Sequence, residues 1–257
     1  MVEMAVDSRV YTANARSAPR FGDNVVGVLH QCDPVDVTGP QQGDRWLPCR
    51  ARIGGAARVV FVSRTVLRQA VSPPRERLMR ECVKQWLRFD RSEGKETDDP
   101  YAGYVGEFWA SIGMALDGGD VDVPWSAAFI SFCVRTAGGY SGFKYAAGHA
   151  RYVHQAIRRR LDGVAGPFWG YRVGEHRPQL GDMVCARRAG NRITYDGAAA
   201  RDRFKSHCDI VVSVRQMHVS TLGGNVGNSV GRTSYPLDGG GYLVGTGKVY
   251  AVLRNNR

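Results

Sequence analysis

Paired prolines at positions 73 and 74 divide this 257-residue chain into two segments with different apolar rhythm. Before them, short apolar runs at 25–29, 35–37, 45–47 and 59–62 alternate with Gly, Pro and Asp, the pattern of short strands joined by turns. From Arg75 the period moves from 2 toward 3.6. Leu78, Cys82 and Trp86 recur with Met79 and Leu87 beside them, which predicts one apolar helix face. Adjacent prolines continue neither a strand nor a helix interior, so Val71-Ser72-Pro73-Pro74 reads as a linker.

The second segment carries three more helical patterns. Asp99-Pro100 opens one that buries Val105, Phe108, Trp109 and Ile112. Another begins near Ser126, buries Phe129, Ile130, Cys133 and Val134, and stops at Gly138-Gly139. The last begins near His149 and carries Tyr152, Val153 and Ile157. Beyond residue 178 the rhythm becomes that of strands, at 182–186, 209–214, 218–222 and 242–253. Helices first and an antiparallel sheet afterwards predict an α+β domain over 75–257, preceded by a small β-barrel over 9–70.

Charge and cysteine usage narrow the function classes. A net charge of +11 draws the chain toward polyanions: nucleic acid, anionic membrane surfaces or acidic wall polymers. Basic repeats interleaved with aromatics and zinc-finger spacings are both missing, so nucleic acid is disfavoured as a partner. No apolar run reaches the ~18 residues of a membrane span. Met1-Val2-Glu3-Met4-Ala5-Val6-Asp7 lacks the basic and apolar regions of a signal peptide, so the expectation is synthesis in the cytoplasm followed by separate delivery. The six Cys include no C-x-x-C pair, which disfavours structural zinc; a Cys32–Cys49 disulfide stays open.

Two stretches carry the chemistry. Pro124-Trp125-Ser126-Ala127-Ala128-Phe129-Ile130-Ser131 puts a hydroxyl at a helix start, where unpaired N–H groups stabilise negative charge. Ser206-His207-Cys208-Asp209-Ile210-Val211-Val212 puts His207 at the head of an apolar strand. Asp209, two residues on, shares the face of His207 in a regular strand. Asn225, in Leu222-Gly223-Gly224-Asn225-Val226, ends the next strand and can also orient an imidazole. The catalytic candidates are therefore Ser126, His207 and either Asp209 or Asn225. Cys208 points away from His207, and Cys133 lies two turns beyond Ser126; both read as core. Asp182 in its Gly-Asp turn reads first as a turn residue, and His149 as either a helix cap or a pocket residue.

These residues carry resemblances. Asn14-Ala15-Arg16-Ser17-Ala18-Pro19, with Gly43-Asp44-Arg45-Trp46, resembles bacterial SH3-like domains. Trp125-Ser126-Ala127-Ala128-Phe129-Ile130, Pro178-Gln179-Leu180-Gly181-Asp182, His207 and Gly224-Asn225 resemble, in order, the signature of CHAP- and NlpC-type cell-wall hydrolases, which are papain-like. The second segment is most similar to a bacterial family of unknown function with P-W-S-A-A-F-I-S, H-x-x-Y and G-G-N motifs, the middle one being His149-Ala150-Arg151-Tyr152 here. The resemblance implies peptidoglycan as partner, amidase or endopeptidase activity without metal or cofactor, and action in the periplasm or at the wall of a target bacterium. It also implies that Trp125, His149, Tyr152 and Asp182 line the substrate site, and that the SH3-like domain anchors the enzyme.

Ser126 departs from the pattern, because those hydrolases use Cys there and a hydroxyl is a poorer nucleophile than a thiolate. Three readings stay open: a working Ser nucleophile, a Cys replaced to silence the site, or a degenerate module that binds wall fragments or a partner protein without cleaving. Delivery as an antibacterial effector, by a secretion apparatus or phage and with a matching immunity protein, is a further reading.

Overall fold

Paired prolines open a helix in this protein instead of separating two elements. In the computed structural model, which describes residues 2–257 apart from Ala189 and Thr246, helix α1 spans Pro73–Arg88. Proline is tolerated in a first turn because the N–H groups there have no intrahelical acceptor. The chain divides into two units, Met1–Glu76 and Arg77–Arg257, so the boundary falls inside the first turns of α1.

The first unit is a seven-stranded antiparallel sheet. Its strands are β1 (Val2–Val6), β2 (Thr12–Arg16), β3 (Val25–His30), β4 (Pro34–Val37), β5 (Trp46–Ile53), β6 (Ala56–Ser63) and β7 (Leu67–Gln69), in the order β3-β2-β6-β5-β4-β1-β7. Strand β1 lies before residue 9, where the sequence pattern starts the domain; it pairs with both β4 and β7 and supplies Met4 and Val6 to the core. Leu29, Val35, Leu47, Ile53, Val60 and Val62 complete that core by period-2 alternation. Arg16 in the Asn14–Pro19 segment donates from Nη1 to the Gly22 carbonyl (2.9 Å) and to Asn24 Oδ1 (2.8 Å), closing that turn.

The second unit sets five helices on a six-stranded antiparallel sheet. After α1 come α2 (Tyr101–Ala110), α3 (Ser126–Ala137), α4 (His149–Leu161) and α5 (Tyr195–Ala200). The strands are β8 (Phe168–Tyr171), β9 (Met183–Arg187), β10 (Ser206–Val214), β11 (His218–Gly223), β12 (Gly231–Pro236) and β13 (Val249–Asn255), ordered β12-β11-β10-β9-β13-β8. The chain is thus α+β. Helices α3 and α4 both pack on β10, which brings their N-termini, Ser126 and His149, to the strand that begins with Ser206 and His207.

Aromatic packing fixes α3. Trp125 and Phe108 approach at 5.7 Å between ring centroids, Phe89 and Trp125 at 5.9 Å, and Phe108 and Phe129 at 5.5 Å. Gly138, with φ 66°, ends the helix as the Gly-Gly signal predicts. Among the described residues of the stretch 242–253, strand β13 covers 249–253 and runs on to Asn255, and Leu243 forms an isolated bridge with Leu237. All six Cys are buried and none is in a disulfide, so Cys32 and Cys49 are not joined.

Candidate functional site

Ser126 Oγ lies 2.7 Å from Nε2 of His149, not against His207. Both residues are first in their helices. His149 Nδ1 in turn bonds the hydroxyl of Tyr152, one turn along the same helix. The i, i+3 spacing of His149-Ala150-Arg151-Tyr152 therefore builds a hydroxyl–imidazole–phenol chain. For Nε2 to accept the Ser126 proton, Nδ1 must carry its hydrogen and donate it to the Tyr152 oxygen.

His207 takes a second position. Its Nε2 lies 2.6 Å from Asp209 Oδ1, and its ring sits 5.4 Å from that of His149, edge to face. Asp209 is fully buried; Oδ2 accepts from Thr221 Oγ1 at 3.3 Å and from the Tyr235 hydroxyl at 3.2 Å. Strand periodicity places His207 and Asp209 on one face, as their spacing predicts. Among the described residues no hydrogen bond joins Asn225 to His207. Asn225 occupies a left-handed turn after β11, with φ 55°.

The Gly223-Gly224 pair beside Asn225 has a packing origin. A Cβ at Gly223 would stand 1.7 Å from Asp209 Oδ1, and one at Gly224 would stand 2.5 Å from Phe129 Cβ. The two glycines let β11 close over the His207–Asp209 pair and over α3.

The two imidazoles are driven apart in acidity. Burial, then the neighbouring His207 and Arg188, push His149 well below its ordinary 6.5, so it is neutral. Burial also works against charge on His207, but the charge and hydrogen bond of Asp209 outweigh it, and His207 titrates above 6.5; Arg188 opposes this.

A cavity of about 290 Å³ opens onto Ser126 and His149, bounded by Pro124 and Ser126 at α3, Ala147, Gly148 and His149 at α4, and Arg188, Phe204, Lys205 and Ser206 at the ends of β9 and β10; His207 lies behind this lining, against His149. The first N–H of α3 bonded to a turn acceptor is that of Phe129, to the Trp125 carbonyl at 3.0 Å. The N–H groups of Ser126, Ala127 and Ala128 have no acceptor within the helix. Among the described residues no cluster of three His, Cys, Asp or Glu is set to hold a metal ion, and no helix is long and apolar enough to cross a membrane.

Three residues expected to touch substrate, Trp125, Tyr152 and Asp182, are buried and do not border this cavity. Trp125 is 2% exposed and donates Nε1–H to Glu96. Tyr152 is 1% exposed and serves His149. Asp182 is fully buried, accepting from Gln179 N–H (2.8 Å), His176 Nε2 (2.8 Å) and Asn255 N–H (2.9 Å), the turn role its Gly-Asp motif suggests. His149 alone of that group borders the cavity. Arg188 and Lys205 also border it, and no motif marks them. Tyr152→Phe removes the acceptor for Nδ1–H and leaves a buried donor unpaired, which should cost about 1 kcal/mol or more and lower Tm by roughly 2–4 °C in thermal melts.

No curated protein matches the chain. Residues 85–255, all within the second unit, match a family described as an uncharacterized protein conserved in bacteria, DUF2272, and the chain belongs to that family.

Proposed function

We propose that the second unit is a papain-like serine hydrolase that cleaves an amide bond of bacterial peptidoglycan, as an N-acetylmuramoyl-L-alanine amidase or a peptide-stem endopeptidase. The first unit is read as an SH3-like module that holds the enzyme on the wall. The observation that carries the reading is the 2.7 Å contact between Ser126 Oγ and a neutral His149 at the head of α3, with the His207–Asp209 pair facing it. The ordered motifs around Ser126, Asp182, His207 and Gly224-Asn225 support the choice of substrate.

Two titratable groups whose surroundings push them in opposite directions divide the acid and base roles. Neutral His149 takes the Ser126 proton while Oγ attacks the amide carbon, and the oxyanion faces the N–H groups at the start of α3. Protonated His207 gives its proton to the departing amine, which leaves an acyl-Ser126 ester. Neutral His207 then removes a proton from water as it attacks the ester, and protonated His149 returns a proton to Ser126 Oγ. Both histidines are restored and the free acid leaves.

A bell-shaped pH profile follows. The acid limb of kcat/KM reports His149 and should lie below 6.5; the alkaline limb reports His207 and should lie above 6.5. Initial rates across pH on a soluble muropeptide check both limbs.

Turbidity of purified sacculi, followed by mass spectrometry of the released muropeptides, tests the reading itself. Wild type should clear the suspension and yield products with a new amino group. Ser126→Ala should bind sacculi and leave them intact, with Tm little changed, since the single hydrogen bond lost contributes only about 1 kcal/mol. Binding by wild type with no product would mean the fold recognises wall fragments and does not cut them.

A further inference from the structure

We infer that Arg188 and Lys205 form an anion subsite that places a substrate carboxylate beside Ser126. This rests on the hydrolase reading and narrows its substrate to an acidic peptide. The β9–β10 ladder ends with the pair Ser206 and Arg187, so Lys205 and Arg188 are the residues just outside that end of the ladder. Both residues border the cavity with Ser126 and His149.

Like charges gathered at one cavity wall are unfavourable. Arg188 adds to the cost by acting against protonation of both imidazoles. Nothing in the cavity wall offsets this, because the bordering residues include no carboxylate. Asp209 is paired with His207, and Asp202 with Arg151. Among the described residues neither the Arg188 nor the Lys205 side chain has an ion pair. A half-buried guanidinium and an exposed ammonium border one cavity without an ion-pair partner, beside Phe204, and suit a ligand that brings the negative charge itself.

The test uses the full-length chain carrying Ser126→Ala, so that no ligand is consumed. Isothermal titration compares the dipeptide L-alanyl-γ-D-glutamate with the same dipeptide amidated at both carboxyls, and with inorganic phosphate. The acid form should bind at least ~10-fold more tightly than the amide, and phosphate should compete only weakly. Adding Arg188→Met and Lys205→Met should remove the preference, while circular dichroism confirms the fold. Equal binding of acid and amide, a preference that survives both substitutions, or phosphate binding more tightly than the dipeptide would each overturn the subsite. Turnover assays on wild type separate the two ideas. Charge-selective binding with no turnover of any muropeptide sinks the hydrolase reading and leaves the subsite; turnover without charge selectivity does the reverse.

Discussion

His149→Ala should lower the rate of muropeptide hydrolysis by about 10³-fold or more, because it removes the group bonded to the Ser126 hydroxyl. The double variant with Ser126→Ala should be no slower than either single one, since members of one catalytic unit do not contribute independently. His207→Ala should also be severe, but its losses should concentrate on substrates with a poor leaving amine, where proton donation matters most. Rates on a muropeptide and on an activated ester of the same acyl group check this. The ester should lose far less than the amide in His207→Ala and equally in His149→Ala. Equal losses on both substrates in both variants would remove the division of roles.

Asp209→Ala should be the most destabilising change near the site. It deletes a fully buried carboxylate and strands His207 and Tyr235, while Thr221 keeps the Thr233 carbonyl as acceptor. Breaking a buried network from one side costs about 3 kcal/mol or more, a Tm fall of roughly 6–12 °C for a unit of this size. Asp209→Asn keeps the shape and loses the charge, so its main effect should be on acidity. The alkaline limb should move down, because the carboxylate is what raises His207. The sign also appears in stability. A raised histidine contributes most when it is protonated, below 6.5, and that contribution is lost as pH rises through its folded value. The deficit of Asp209→Asn relative to wild type should therefore shrink as pH rises, which thermal melts across pH measure.

Much of this arrangement is legible in the residues. The 3.6 rhythm marks α1 to α4, and Ser126 does open α3. His207 and Asp209 share a strand face because period 2 requires it. Pro73-Pro74 was harder to read, because the same residues that end elements also begin helices. Strands β8 and β12 leave weak signals for distinct reasons. Gly170 interrupts β8 because a Cβ there would stand 2.4 Å from Ile157 on α4, and β12 lies at the sheet edge with a mixed, mostly polar sequence.

The partner of Ser126 was hidden for a topological reason. His149 meets Ser126 only because α3 and α4 both pack on β10, a relation no local spacing encodes. The His149–Tyr152 spacing was the available signal, and it points to a positioned imidazole rather than to a capping residue. Gly223-Gly224-Asn225 misled in the opposite sense, since its glycines answer to close packing on Asp209 and Phe129.

The central claim, that His149 makes Ser126 a nucleophile, is tested most directly by covalent labelling. Wild type treated with a fluorophosphonate and examined by intact and peptide mass spectrometry should carry one adduct, on Ser126, formed more slowly below the acid limb. His149→Ala, folded by circular dichroism, should form it at least ~10²-fold more slowly. Absence of an adduct on Ser126, or labelling at an unchanged rate in His149→Ala, would contradict the account.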